Sequence, residues 1–306
     1  LGTSKALYVY YEDAFYDITP LDTAISGATF TTTNTSTTVT VNKTSHNLEL
    51  GEYITFTSVT PPTGAGFVAT DFENNTFEVL NVAANTFDIT MPSAATGSTS
   101  ATGSGVINPY VEIGPTIQTY GYGWGTSTWG TVAWGIGSTS TQVILDPGSW
   151  SLDNFGQQLI ATIKDGKTWV WDAGLSNPLE RRAVVMSGAP TASRLTITSD
   201  RDRHVVHFGT ETTIGDATTQ DPMFIRFSDQ EDYTTYVPTS TNTAGTFRLD
   251  TGNKIVAAVS GKDYNLILTD QAAYVMQFVG PPFTFSIRQV GSNCGCIGHH
   301  AAVYAD

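Results

Sequence analysis

The sequence predicts an all-β fold: a β-propeller-like body carrying a small inserted antiparallel β domain. Three observations lead there. Apolar residues alternate with Thr, Ser and Asn in short runs, and no segment shows the long i, i+3, i+4, i+7 stripe of an amphipathic helix. Only 14% of the 306 residues are charged, against roughly 25% in an average domain. Thr, Ser, Asn and Gly must then supply the polar surface, and they suit strands and turns better than helices. Finally, a strand, a short acidic turn and an aromatic strand recur. The unit is "LYVYYEDAFYDIT" near the start, "IATIKDGKTWVWDA" in the middle and "LILTDQAAYVMQFV" near the end. Repeated hairpins of this kind are what four-stranded blades around a centre require.

Residues 1–20 read as a first propeller hairpin, with "LYVYY" and "FYDIT" as aromatic strands around the turn "EDA". Residues 21–108 change character. "FTTTNTSTTVTVNKTSHNLELGEYITFTSV" alternates Thr with Val or Ile, and "FEVLNVAANTFDITM" repeats the pattern around the turn "AANT". This predicts an inserted small barrel or sandwich with polar outer faces. The tract "PSAATGSTSATGSG", residues 92–105, is expected to be its flexible exit. From 109 to 306 the propeller-like body continues. "QQLIATI" and "TWVWDA" flank the turn "KDGK", followed by "SRLTITSD", "HVVHFGT", "PMFIRFSD", "KIVAAVS", "YNLILTD", "AAYVMQFVG" and "FTFSIRQVG". Strand patterns run up to both ends, so the sequence is expected to be a piece of a longer chain.

Charge and chemistry narrow the function classes. There are 28 Asp+Glu against 14 Lys+Arg, a formal charge of -14. Such a surface repels nucleic acid at long range and argues against sequence-reading DNA binding. It leaves open a channel through which DNA passes without adhering. The two cysteines, Cys294 and Cys296, are separated by one residue, too few for a disulfide framework. "CGCIGHH" matches no standard zinc spacing. His204 and His207 are three apart on an expected strand, so they face opposite ways. No metal or cofactor is expected, nor a P-loop, nucleophile elbow or HExxH motif. "SDQEDY" clusters Asp229, Glu231 and Asp232, which suits a solvated turn or a partner contact better than the separated carboxylate pair of a glycosidase.

"GYGWGTSTWGTVAWG" spaces Trp124, Trp129 and Trp134 five residues apart, each followed by Gly. That step keeps the rings on one face of neither a helix nor a strand. The three tryptophans are expected to be structural anchors, each in its own site, on an extended connector; platforms for stacking sugar or single-stranded nucleic acid are the alternative.

"KDGKTW" resembles part of an Asp-box, the structural turn of sialidase-like propellers, although Ile163 stands where that motif has Ser or Thr. A longer resemblance covers residues 115–306. It is carried by "GWGTSTWGTVAWG", "LDPGSWSLDNFGQQLIAT", "RFSDQEDYTTYVPTSTNTAG" and "MQFVGPPFTF" in that order, with "LYVYYEDAFYDITP" before them. These runs resemble the packaged-DNA stabilisation, or tail nozzle, proteins of short-tailed bacteriophages. The resemblance implies a β-propeller-like virion subunit of the phage tail with no catalytic residues. It implies self-association into a hexameric ring below portal and adaptor and above spike or needle proteins, with viral DNA passing through the lumen. Asp229, Glu231, Asp232 and Tyr233 in one loop, and Pro281, Pro282 and Phe283 in another, are the expected subunit contacts. A carbohydrate- or receptor-binding phage tail module is the alternative function, and a propeller glycosidase ranks third.

Overall fold

The computed structural model describes residues 1–113 and 148–304. Nearly every element in them is a β-strand, and the contacts divide the chain into two compact units. One comprises Leu1–Glu112 with Leu179–Arg182, the other Ile113–Pro178 with Ala183–Asp306.

The first unit opens on a hairpin of β1 (Tyr8–Tyr11) and β2 (Ala14–Asp17). Glu12 and Asp13 make its two-residue turn, at φ 48° and 60°. That geometry matches the twist of the flanking strands. Then come β3 (Ile25–Thr32), β4 (Thr38–Asn42), β5 (Tyr53–Thr60), the short helix α1 (Ala69–Glu73), β6 (Thr76–Glu78), β7 (Leu80–Ala83), β8 (Thr86–Thr90) and β9 (Thr99–Pro109). All seven strands from β3 onward form one sheet in the order β6-β5-β9-β3-β4-β8-β7. The sheet curls until β6 approaches β8, leaving it almost closed. The Thr/Val alternation explains why. Val39, Val41, Ile54, Phe56, Phe87 and Ile89 point inward and are fully buried, while the intervening residues face out. Phe30, Phe72 and Phe77 complete an aromatic core with α1 lying against β5.

One expectation fails here. The Ser/Thr/Gly tract is not a flexible exit, because its second half is β9, paired on one side with β5 and on the other with β3. Small side chains are what a central position needs. A Cβ on Gly105 would come within 3.1 Å of the Phe30 ring, and irregular register beside Ala101 and Gly103, both at positive φ, lets the strand bend into the curl.

Asp17, Tyr110 and Arg182 fasten the hairpin and the Leu179–Arg182 segment within this unit. Arg182 Nη2 lies 3.0 Å from Asp17 Oδ2, and its guanidinium stands 4.6 Å over the Tyr110 ring. The Tyr110 hydroxyl also donates to Asp17. Burial works to raise the Asp17 carboxyl, but hydrogen bonds from Thr19 and Tyr110 and the Arg182 charge hold it below the usual value.

The second unit holds three four-stranded antiparallel sheets, each a meander in chain order. The first contains β10 (Trp150–Phe155), β11 (Gln158–Ile163), β12 (Thr168–Asp172) and β13 (Val184–Val185). The next is β14 (Leu195–Ser199), β15 (His204–Phe208), β16 (Phe224–Phe227) and β17 (Gly245–Arg248). The last is β18 (Ile255–Ser260), β19 (Asn265–Thr269), β20 (Ala272–Gly280) and β21 (Thr284–Ser292). The first strand of each sheet lies beside that of the next, β10 against β14 and β14 against β18. Ser151 bonds to Thr196 and Asp153 to Thr198, so β10 and β14 run the same way. Consecutive meanders set first strand beside first strand are propeller blades.

Candidate contact surface

The loop Ser228–Ala244, between β16 and β17, carries the predicted acidic cluster, and its acids chiefly build the loop itself. Asp229 Oδ1 accepts from the Thr243 N–H at 2.8 Å and from its hydroxyl at 2.7 Å. Asp232 Oδ1 accepts from the Thr234 N–H and hydroxyl at 2.7 and 2.6 Å, and Oδ2 from the Thr235 hydroxyl at 2.8 Å. The Asp232 contact is an Asx turn, whereas Asp229 clamps the start of the loop to its end. Burial pushes the two carboxyls up, but these hydrogen bonds outweigh it and hold both below the ordinary range. Glu231 reaches back to Arg203, with Nε 2.6 Å from Oε2. The Arg203 guanidinium stands 4.5 Å over the Phe155 ring, whose centroid is 5.5 Å from that of half-buried Tyr233. Arg203 is a residue that sequence reasoning passed over; its signal lay in "RDRHVVHFG", where an unbalanced Arg precedes a strand.

Pro281, Pro282 and Phe283 form the tip of the β20–β21 hairpin, with a cis bond between the two prolines. Phe283 is 79% exposed, and Val279 beside it 53%. The structure ties this tip to the acidic loop. The Thr284 hydroxyl donates to the Thr243 carbonyl at 3.1 Å, and Thr243 in turn holds Asp229. Thr243 also meets His204 Nε2 at 3.1 Å. Thus two loops predicted separately share one end of the sheets, and Thr243, which the sequence did not single out, is the joint. Trp124, Trp129 and Trp134 lie outside the described residues.

Beneath the loop the two histidines of β15 do point opposite ways. His204 packs among Phe227, Phe278 and Phe285, its Nδ1 2.9 Å from Asp202 Oδ2 but not aligned as a hydrogen bond. His207 is fully buried. Its Nδ1 meets the hydroxyls of Ser193 and Thr196 at 3.1 and 3.0 Å, and its Nε2 the Tyr236 hydroxyl at 3.1 Å. Burial first, and the nearby Arg226 charge second, hold its pKa down to about 3, while burial raises Tyr236 well above its ordinary value. Arg226 threads its guanidinium to the carbonyls of Tyr236, Glu211 and Thr212. This network braces the loop from below and has no route to solvent for a substrate. Among the described residues, no three His, Cys, Asp or Glu side chains are placed to hold a metal ion, and Cys294 and Cys296 are free thiols.

Gly188 sets how close a neighbouring turn comes to the loop. Its φ is +72°, and a Cβ there would stand 2.0 Å from the Thr234 carbonyl oxygen. Gly188→Ala is expected to cost about 2 kcal/mol more than Gly215→Ala. Gly215 is also at positive φ, +85°, but has nothing within 4 Å of an added Cβ. Urea unfolding of the two variants measures the difference, and equal losses would show that the close approach is unimportant.

No protein-family model matches the sequence, and no curated protein matches it. Among solved structures the chain is similar to the phage phi92 endosialidase, at 16% identity and a TM-score of 0.25, covering 92% of this chain and 45% of that one. The chain therefore spans less than half the length of that protein, and a superposition this loose transfers neither fold nor activity.

Proposed function

We propose that this chain is a structural subunit of a phage tail, a nozzle that closes into a ring with copies of itself, prolongs the DNA channel below portal and adaptor, and helps retain packaged DNA. The observation that carries the proposal is the placement of its two most specific sequence runs. "RFSDQEDYTTYVPTSTNTAG" and "MQFVGPPFTF" resemble the nozzle family, and they fold to one end of the sheets, joined through Thr243. There the acids are spent on shaping a rigid loop, and an exposed Phe283 stands on the tip beside it. A rigid polar loop next to an apolar tip is the composition of an interface rim and core. A head-to-tail contact of this sort, repeated around an axis, closes a ring.

The charge fits a conduit. With 28 acids against 14 Lys+Arg, the subunit favours sliding over gripping, because phosphate contacts to a basic wall add salt-dependent friction. Absence of catalysis belongs to the same proposal. It is supported by the sealed position of His207 and Tyr236, since a general acid or base must come within hydrogen-bond reach of substrate. Among the described residues no helix is long and apolar enough to cross a membrane.

Analytical ultracentrifugation of the full chain tests the proposal. Closed rings should form with rising concentration, and Phe283→Asp, which leaves the buried core untouched, should shift them toward monomer at least about tenfold in apparent dissociation constant. A chain that stays monomeric throughout, or that grips duplex DNA at ordinary salt, sinks the proposal. One feature favours the carbohydrate-binding alternative: Tyr10 and Phe15 are 57% and 63% exposed, with ring centroids 5.0 Å apart and planes tilted by 48°, on the first hairpin. Saturable binding in a glycan screen, abolished by Phe15→Ala, would select that alternative.

A further inference from the structure

The second and third sheets of the second unit pack face to face, and each has another face on its far side. In the second sheet the rows Leu195–Phe208–Ile225 and Ile197–Val206–Phe227 cross three paired strands. These side chains are buried in a core shared with Ile267, Tyr274 and Met276 of the third sheet. Side chains alternate along a strand, so the neighbours of Ile267, Tyr274 and Met276 turn outward. The outward rows are Val259–Leu266–Val275 and Ala257–Leu268–Ala273. They lie on the same three strands of their sheet as the buried rows do in the second, and they are equally apolar. Their burial differs, because Val259, Leu266, Leu268 and Val275 are only half-buried. The third sheet thus repeats the kind of face on which it is itself seated. Among the described residues, no further sheet covers that face.

The chemistry of this face selects its cover. An aliphatic sheet face buries best against another, with the two sheets about 10 Å apart. The corresponding outer face of the first sheet is already taken. Ser151 and Thr162 bond to Thr196 of the second sheet, so Trp150, Ile163 and Trp169 point the other way, and all three are buried. Among the described residues, the matching surface still open is the same face on another copy. Charge favours that approach. The formal charge is -14, so two copies repel wherever their acids meet. The two outward rows hold no acid, and continuing them onto β21 adds Gly291 and Arg288. A surface that is apolar and free of acids is complementary to itself, as a two-fold contact requires. The exposed Cys294 marks its edge. A Cβ on Gly291 would stand 3.7 Å from Ala273 Cβ and 2.5 Å from Cys294 Sγ, so the thiol lies over this face.

We propose that the outward face of the third sheet is an interface with the same face of a second copy, two sheets packed across a two-fold axis. This contact is separate from the head-to-tail contact at Phe283, so each is tested without the other. Sedimentation of the full chain carrying Phe283→Asp, in which ring closure is weakened, isolates it. A monomer–dimer equilibrium is expected there. Adding Leu266→Asp should raise the dimer dissociation constant at least about tenfold. Circular dichroism should stay unchanged, because Leu266 points away from the core shared with the second sheet. If the added substitution prevents folding, alkylation of Cys294 by iodoacetamide in the Phe283→Asp chain decides, read by peptide mass spectrometry. Its rate should fall as protein concentration rises and the second copy covers the thiol. A Phe283→Asp chain that stays monomeric, a dimer indifferent to Leu266→Asp, or a Cys294 rate independent of concentration overturns the proposal.

Discussion

Phe56→Ala is expected to lower the unfolding free energy of the Leu1–Glu112 unit by about 4 kcal/mol. Phe56 sits on β5, which is paired on both sides, and it is fully buried. Its ring lies 5.6 Å from Phe30, 5.9 Å from Phe72 and 5.8 Å from Phe77, all in edge-on contacts. Truncation removes the transfer energy of one ring and three aromatic pairs, each worth about 0.5–1.5 kcal/mol beyond burial. Collapse is hindered because the hole is walled by strands held in register. Phe56→Leu should recover most of the loss. The readout can be kept local: all six tryptophans, at 124, 129, 134, 150, 169 and 171, belong to the other unit. Urea unfolding followed by far-ultraviolet circular dichroism should show the shifted transition, and tryptophan fluorescence reports the second unit beside it. A loss below about 1 kcal/mol would mean that the aromatic cluster is not the core of this unit.

That cluster also shows what was legible in the sequence. Strands with strict alternation, such as Thr38–Asn42, could be read directly because a period of two forces one face inward. Aromatic and β-branched runs such as Ala272–Gly280 were equally clear. Strands that lack such signals were not. Trp150–Phe155, Val184–Val185 and Gly245–Arg248 are polar or short, and they exist because a neighbouring strand offers a free edge. The Ser/Thr/Gly tract misled for the same reason: as an isolated segment it is a linker, but between β5 and β3 it becomes β9. The candidate surface was half legible. Its loops stood out as motifs, whereas the Thr243 link depends on two loops meeting in space.

Mild acid should destabilise the second unit well before its carboxylates titrate, and His207 should be the main cause. Its pKa is held down to about 3 in the folded protein, against an ordinary value of 6.5. Between those values the unfolded chain binds a proton that the folded chain refuses, so stability rises with pH and falls on acidification. The full contribution is present above pH 6.5, and from there it is lost at about 1.4 kcal/mol per pH unit. Going from pH 7 to pH 4 should therefore remove about 3 kcal/mol through this residue. Proton entry would place a cation beside Arg226 in a site whose other partners, Ser193, Thr196 and Tyr236, are neutral hydroxyls. Asp229 and Asp232 are held low by the hydrogen bonds they accept and stay ionised over most of this range, so they add little to the slope. His299, depressed to about 4, contributes with the same sign. Denaturant midpoints measured from pH 7 to pH 4 by tryptophan fluorescence check the slope. His207→Gln should abolish most of it, and if that variant does not fold, proton NMR should find the His207 ring silent between pH 7 and pH 5. A ring that titrates near its ordinary value would show that water reaches the Ser193–His207–Tyr236 network, and the brace beneath the acidic loop would then be an open site.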